Sequence, residues 1–308
     1  NMIVDGHCDT IKKAFEENIS IDDIQLGFNL IDAKLPMIQM MAIYISPEEE
    51  NEGFDVAKKI IKKLDDEKDK FKNRSVQIYS SKDIEKVNNN QVGLILATEN
   101  GSVIQENLEN VDKLYEAGVR MMSIVWNNKN ELASGAMEKE DEGLTELGIE
   151  FVKYLNQKNI LVDVSHSSVK TFWDTSKISS KPIVASHSCV YNLCHHPRNL
   201  QDEQIKQIAK MNGIIGIAFC SSFLSENNIA DISNVIEHIK YIKNLVGIDY
   251  VGIGSDFDGL EKEHILNDMK GIKDIDNLID GLKAEGFCHR EIEKVLGDNW
   301  IRVLKHNI

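Results

Sequence analysis

The chain has 308 residues, with 35 Lys and Arg against 50 Asp and Glu, a formal net charge of −15 and 42% hydrophobic residues. This size and composition are typical of a globular protein that buries a large core without disulfides. The acidic balance excludes nucleic acid and anionic membrane surfaces as expected partners, because both are bound through clusters of Lys and Arg.

The cysteines and the first residues indicate a compartment. Five cysteines, an odd number without a CxxC pair, do not have the spacing of a disulfide framework or a zinc ribbon. We interpret them as small buried hydrophobic residues in a reducing compartment. The sequence after Met2 lacks the basic and apolar segments of a signal peptide, and no apolar run has the length of a transmembrane helix. These features predict a cytoplasmic protein.

Eight short apolar runs, each bounded by turn residues, recur along the chain. Because the runs are apolar throughout, we expect strands that are buried on both faces, as in a parallel sheet covered by helices. The predicted strands are residues 3–9, 37–45, 92–99, 119–126, 160–166, 183–187, 214–219 and 251–257.

Charged segments with apolar residues at helical spacing lie between these runs. The predicted helices are residues 55–72, 107–117, 144–157, 202–211, 232–245, 275–284 and 291–304. Strand–helix alternation on this scale predicts a (β/α)8 barrel of the TIM type, with residues 1–308 forming one catalytic domain. An open doubly wound sheet is the alternative, and it is less favoured because no glycine-rich turn opens a first helix.

Side chains that can bind metal ions cluster at the ends of five predicted strands. They are His7, Asp9, Glu99, His166, His187, Asp256 and Asp258. Residues two apart on a strand point to the same side, so His7 and Asp9 can both face the barrel mouth. Barrel enzymes build their active sites at this carboxyl-terminal face. We therefore expect one shared site there, and we interpret Asp258, which precedes Gly259, as the weakest candidate because it could simply cap a turn.

The composition of this set indicates the metal and the chemistry. Three imidazoles with two or three carboxylates suit Zn²⁺ better than Mg²⁺ or Ca²⁺. Five ligands exceed the needs of one ion and fit two ions about 3.5–4 Å apart, bridged by a carboxylate and a water. Such a pair acidifies bound water and polarises a carbonyl group. The predicted reaction is hydrolysis of an amide or a related bond.

We expect the other histidines to lie outside this site. His195 and His196, just before Pro197, project in different directions, which favours packing within a loop. The remaining four lie on polar helical stretches and are predicted to be solvated: His238, His264, His289 and His306. The polar loop 127–142 follows the fourth strand, and we expect it to act as a lid or binding loop.

These motifs, taken together and in order, resemble the membrane dipeptidase (renal dipeptidase) family of zinc metallopeptidases, whose bacterial members are soluble. The resemblance extends from residues 4–10 to residues 297–303. Its most specific segments are residues 162–166, 186–188, 196–200 and 252–259. The resemblance implies a dipeptidase with the metal-dependent hydrolase type of barrel.

The resemblance also implies a ligand set for two zinc ions per chain. One zinc ion would be held by His7 and Asp9, and the other by His166 and His187. Glu99 and a water or hydroxide would bridge the two ions. The family accepts dipeptides with a D-residue at the carboxyl-terminal position, and a homodimer is the assembly that the resemblance suggests.

Three further roles follow from the resemblance. Asp256 would transfer protons as the catalytic residue, and Arg198 would bind the carboxylate of the dipeptide, as a guanidinium fork does. The animal enzymes stabilise the tetrahedral intermediate with a histidine where this chain has Trp126. Because an indole carries no charge, we expect the second zinc ion, or Asn127 or Asn128, to take over that role, and we predict that Asn128 binds substrate.

Two other functions remain open from the sequence. One is an amidohydrolase-type barrel acting on another small amide, a lactam or a lactone, although such enzymes usually begin with His-x-His where this chain has His7-x-Asp9. The other is a barrel that binds metal ions or small peptides without turnover, which the complete ligand set disfavours.

Overall fold

The computed structural model describes residues 1–308 and contains a closed barrel of parallel strands. Eight strands pair in the order β2-β1-β9-β8-β7-β6-β5-β4, and β2 pairs with β4 to close the ring. The strands are β1 Ile3–Cys8, β2 Met37–Tyr44, β3 Ser75–Gln77, β4 Val92–Glu99, β5 Val119–Ser123, β6 Leu161–Asp163, β7 Ile183–Ser188, β8 Ile214–Ile217 and β9 Val251–Ile253. The predicted (β/α)8 barrel is confirmed, and the open sheet is excluded by the closure.

Helices follow the strands and cover the outside of the barrel. They are α1 Thr10–Glu17, α2 Gly53–Lys70, α3 Ser81–Ile84, α4 Glu109–Ala117, α5 Glu146–Lys158, α6 Val169–Ile178, α7 Asp202–Lys210, α8 Ser221–Leu224, α9 Ile232–Val246, α10 Ile275–Ala284, α11 His289–Glu293 and α12 Asn299–Asn307. None of them combines the length and the apolar character that crossing a membrane requires.

The structure differs from the predicted elements in three places. The short strand β3 pairs with the first three residues of β4 and is too polar and brief to stand out in the sequence. Helices α1, α3, α6 and α8 lie outside the predicted helical segments. The last predicted helix, residues 291–304, is interrupted by a π-helical turn at Lys294–Asp298, where it packs against β1 and β9.

Two apolar cores explain why the strands are apolar throughout. One core of 67 residues lies between the strands and the helices, and a second core of 15 residues fills the barrel near the amino ends of the strands. Trp300 of α12 is fully buried in the second core, and its indole N–H donates to the Ile253 carbonyl at 3.0 Å. A Cβ atom on Gly6 would lie 2.3 Å from the Trp300 ring, so β1 needs glycine at this close approach.

His238 on α9 is fully buried, so the prediction that it is solvated is wrong. Its Nδ1 accepts from the Val190 amide at 3.1 Å, and its Nε2 donates to the Leu224 carbonyl at 3.0 Å. Burial lowers the pKa of His238 to about 4, which keeps the ring neutral for this arrangement. The helix spacing carried the signal, because His238 shares the buried face of α9 with Val235 and Ile242.

We predict that Trp300→Ala lowers the free energy of unfolding by about 3–5 kcal/mol, because the cavity it leaves lies in the packed end of the barrel. Urea-induced unfolding measures this change. Ile229→Ala is the control, because Ile229 is 75% exposed and its truncation changes stability by no more than about 0.5 kcal/mol. Equal effects of the two substitutions would contradict the packing role of Trp300.

Candidate metal centre and active site

A cavity of about 640 Å³ opens at the carboxyl end of the barrel strands. His7 lies near the end of β1, Asp9 directly follows β1, Glu99 is the last residue of β4, and His187 lies on β7. The two remaining candidates each lie three residues beyond a strand, after β6 and β9 respectively. They are His166 and Asp256. All six side chains are buried, and the structure brings all six together.

Glu99 is the centre of this cluster. Its Oε2 lies 2.9 Å from His166 Nε2, 3.2 Å from His187 Nε2 and 3.6 Å from His7 Nε2. The Nε2 atoms of His166 and His187 are themselves 3.1 Å apart. Three imidazole nitrogens therefore converge on one carboxylate oxygen.

Two more carboxyl groups approach the same cluster from the side of His7. Asp9 Oδ2 lies 3.1 Å from His7 Nε2, and Asp256 Oδ1 lies 3.5 Å from the same atom. The second oxygen of Asp9, Oδ1, is buried and has no hydrogen-bond partner. A buried carboxylate oxygen without a donor is costly unless a cation satisfies it.

The titration behaviour of the carboxyl groups reflects their crowding. Burial, together with the other acids nearby, raises the pKa of Glu99 to about 7 and that of Asp9 to about 6. Burial and the charge of Asp9 raise the pKa of Asp256 well above its ordinary value. Burial alone would lower the pKa of His7, but Glu99, Asp9 and Asp256 raise it well above its ordinary value. Three acids share one buried space, which favours a bound cation.

The other two imidazoles are held neutral and oriented. Burial lowers the pKa of His166 and of His187 well below the ordinary value. His166 Nδ1 lies 2.8 Å from Asn127 Oδ1, and His187 Nδ1 lies 2.8 Å from Ser186 Oγ. Because an amide oxygen accepts, the proton of His166 lies on Nδ1, and its Nε2 lone pair faces the cluster.

Ser186 is in turn fixed by Asp163. The Ser186 hydroxyl donates to Asp163 Oδ2 at 2.5 Å, which leaves its oxygen free to accept from His187 Nδ1. Asp163 Oδ1 also accepts from the amides of Ser165 and Ser186, each at 3.0 Å. This buried aspartate thus joins the ends of β6 and β7 and presets the tautomer of His187.

Asp5 plays the matching structural part in the middle of β1. Its carboxyl accepts from the Ser255 amide at 2.8 Å, from the Ser255 hydroxyl at 2.5 Å and from Gln39 Nε2 at 3.0 Å. Sequence reasoning missed both aspartates. The signal was present, because each lies two or three residues before a histidine of the cluster, in Asp5-Gly6-His7 and in Asp163-Val164-Ser165-His166.

Two residues of the cluster adopt backbone conformations that are rare for non-glycine residues. His166 has φ of 69° and Asp256 has φ of 64°. Such left-handed conformations cost free energy and persist where the surrounding structure holds them, typically at functional sites. In this chain they turn two side chains back over the barrel mouth.

Arg198, on the loop between β7 and α7, lines the cavity and is only 4% exposed. Its Nη2 donates to the His187 carbonyl at 2.7 Å and its Nη1 to Ser188 Oγ at 3.3 Å. Its Nε is buried without a hydrogen-bond partner. Two nitrogens of the guanidinium are therefore anchored by neutral groups, and no carboxylate of the protein pairs with its charge.

The loop after β5 contributes Trp126 and Asn127 to the cavity wall. The Trp126 ring lies 5.1 Å from the Tyr44 ring and 5.9 Å from the His166 ring, measured between centroids.

Asn128 is exposed and does not line the cavity, so the structure does not bring this predicted substrate-binding residue to the site. Asp258 instead accepts from Thr10 Oγ1 at 2.6 Å and from the Phe28 amide at 3.0 Å, outside the donor cluster.

The donor set fits zinc. Neutral imidazoles and carboxylates in a buried, convergent arrangement are ligands of Zn²⁺. The unpaired Asp9 oxygen and the closely spaced acids would be stabilised by a bound cation. A parallel barrel with such ligands at its carboxyl end has the architecture of a metal-dependent hydrolase.

Residues 1–307 match the model of a family described as membrane dipeptidase, peptidase family M19. The chain therefore belongs to the membrane dipeptidase family of metallopeptidases, as its motifs predict. A Klebsiella pneumoniae protein, described as an uncharacterized protein in the pqqA 5' region, is 34% identical over 238 residues, which cover 74% of this chain and 87% of that protein.

Solved structures share the fold at lower identity. A Rhodobacter sphaeroides metallopeptidase, bound to a phosphinate mimic of the dipeptide L-Ala-D-Ala, superposes with a TM-score of 0.90 at 23% identity and covers 99% of each chain. The dipeptidase AC, a metallopeptidase of family M19, superposes with a TM-score of 0.92 at 23% identity and covers 99% of this chain and 98% of the other. The probable dipeptidase PvdM from Pseudomonas aeruginosa superposes with a TM-score of 0.85 at 22% identity and covers 93% of this chain and 90% of the other.

We predict that Ser186→Ala and Asn127→Ala each weaken Zn²⁺ binding by about 10- to 100-fold, because each removes the acceptor that orients a histidine ring. Competition with a chromophoric chelator measures the dissociation constant. Ser233→Ala, an exposed serine on α9, is the control and is expected to bind zinc like the unmodified protein. Unchanged affinity in both site variants would show that these contacts do not support the ligands.

Proposed function

We propose that residues 1–308 form one catalytic domain, a binuclear zinc dipeptidase that tolerates a D-residue at the carboxyl-terminal position of its substrate. The observation that carries this proposal is the convergence of three imidazoles and three carboxyl groups beside a buried arginine that has no carboxylate partner. Membership of the membrane dipeptidase family supports the same activity.

His7 and Asp9 would hold one zinc ion, His166 and His187 the other, and Glu99 would bridge them. The convergence of all three Nε2 atoms within 3.6 Å of Glu99 Oε2 supports a bridging role for this carboxylate. When bound, two zinc ions supply an acidified water as the nucleophile and polarise the scissile carbonyl. The protein's part is to keep the imidazoles neutral and aimed, and to exclude bulk water from the buried cluster.

Asp256 is the proton carrier in this proposal. Its carboxyl borders the cluster through His7 without the close imidazole contacts that Glu99 makes, and it lines the cavity. A carboxyl whose pKa is raised by burial and by Asp9 can take a proton from the attacking water and return it to the leaving amine nitrogen. The left-handed backbone at Asp256 holds this group over the barrel mouth.

Arg198 selects dipeptides. A guanidinium binds a carboxylate strongly, and Arg198, which lines the cavity, is bonded only to a carbonyl and a hydroxyl of the protein. A longer peptide would place an amide group, not a carboxylate, at this distance from the scissile bond. The Rhodobacter sphaeroides protein, which shares the fold, binds a mimic of L-Ala-D-Ala, and this supports tolerance of a D-residue here.

Two further properties stay predictions. The cytoplasmic location is supported by the cysteines, four of which are buried and all of which are free. The homodimer rests on the family resemblance alone.

The proposed activity is tested with zinc-loaded protein and a panel of L-L and L-D dipeptides, assayed beside tripeptides and small lactams. We expect turnover of dipeptides that include L-Ala-D-Ala, and none of tripeptides, because only dipeptides present a carboxylate to Arg198. Cleavage of lactams without cleavage of any dipeptide would refute the proposed substrate class.

We predict that Asp256→Asn lowers kcat by about 10²- to 10⁴-fold while the zinc content stays at that of the unmodified protein, because the amide cannot carry the proton. Metal analysis of the same preparation is the second measurement. His166→Ala is the contrasting variant, because it should lose both zinc and activity. Loss of zinc in Asp256→Asn would make Asp256 a ligand and would contradict its role in proton transfer.

A further inference from the structure

His196 lines the active-site cavity, although its sequence pattern favours simple loop packing. The ring is half-buried and packs against Phe223 with centroids 4.7 Å apart. Its neighbour His195 behaves as expected, because it is exposed and lies 3.2 Å from Glu226. The two adjacent histidines therefore face different surroundings, and only one of them faces the cavity.

A backbone contact fixes which nitrogen of His196 carries the proton. The Arg198 amide donates to His196 Nδ1 at 3.0 Å, so this nitrogen presents its lone pair and the proton of the neutral ring lies on Nε2. Burial, followed by the charge of Arg198, lowers the pKa of His196 to about 4, which keeps the ring neutral. Nε2 has no protein partner, and the ring thus presents one unused N–H donor.

The same wall of the cavity holds the guanidinium of Arg198. The Arg198 guanidinium lies over the Phe223 ring at 5.1 Å, so Phe223 supports both His196 and Arg198. Arg198 Nε is buried and unpaired, and the hydrogen bonds of its other nitrogens go to a carbonyl and a hydroxyl, not to a carboxylate. A neutral N–H donor beside a guanidinium that has no carboxylate partner forms a site for an anionic ligand group.

We propose that His196 Nε2–H and the guanidinium of Arg198 together bind the terminal carboxylate of the substrate, which makes His196 a substrate-binding residue. This inference rests on the proposed dipeptidase function, because that function supplies the carboxylate. The neutral imidazole adds a directional hydrogen bond to the charge of Arg198, and it fixes the angle at which the carboxyl-terminal residue enters the cavity.

Two substitutions separate donation by Nε2 from support of the loop by Nδ1. In His196→Asn the side-chain oxygen can still accept from the Arg198 amide two residues on, as asparagine does in turns, but no donor reaches the position of Nε2. In His196→Gln the longer amide can place an N–H there. We expect His196→Asn to raise KM for the best dipeptide of the panel about 10-fold with kcat changed less than about 2-fold. His196→Gln should lie closer to the unmodified protein.

The carboxyl-terminal amide of the same dipeptide is the second probe, measured by its KM or, if it is not cleaved, by its inhibition constant. We expect His196→Asn to change this constant less than it changes the KM of the dipeptide, because an amide oxygen accepts a weaker hydrogen bond than a carboxylate does. His195→Phe is the matched control and should leave all constants unchanged.

Each adverse outcome has a distinct meaning. An unchanged KM for the dipeptide in His196→Asn, or equal losses for the dipeptide and its amide, would overturn the role of His196 while leaving the dipeptidase activity intact. Failure of the unmodified protein to cleave any dipeptide would refute the proposed function, and the inference with it.

Discussion

Closure of the parallel barrel is the constraint on which the site depends. Parallel strands all end at the same rim, so the side chains at their ends must meet there. In this chain those ends carry imidazoles and carboxyl groups, and Glu99 lies within 3.6 Å of three histidines that come from three different strands or their extensions. Residues as far apart in sequence as His7 and Asp256, whose side chains lie 3.5 Å apart, need no further device to bring them into contact, because strand pairing already does so.

What the barrel does not fix is the orientation of each ring, and a layer of buried hydrogen bonds supplies this. Asp163 and Asp5 tie neighbouring strands together, and Ser186 and Asn127 set the direction of two imidazoles. Each of these groups satisfies several donors or acceptors at once, which is what makes a buried polar network stabilising. Precision at the site thus comes from residues that never face the cavity centre as well as from those that do.

The sequence predicted the parts of the molecule that depend on pattern. Apolar runs revealed the barrel strands, and residue type at their ends revealed the metal-binding candidates. Features that depend on direction in space were missed. Asn127 and Asn128 are indistinguishable by type, yet only Asn127 turns into the cavity. His238 was misassigned because its polar neighbours along the chain outweighed the spacing that places it on the buried face of α9.

The fold and the site oppose each other energetically. The strained backbone at His166 and Asp256 and the crowded acids each cost stability in the isolated chain, and the two apolar cores offset that cost. The −15 net charge adds little to this local conflict, because most of the acids lie on the solvated surface. The destabilisation is confined to a few buried groups, and a bound metal ion would relieve it. A cation among Glu99, Asp9 and the imidazoles turns repulsion between neighbouring acids into attraction, so the arrangement that is most costly in the isolated chain is the one best prepared to bind metal.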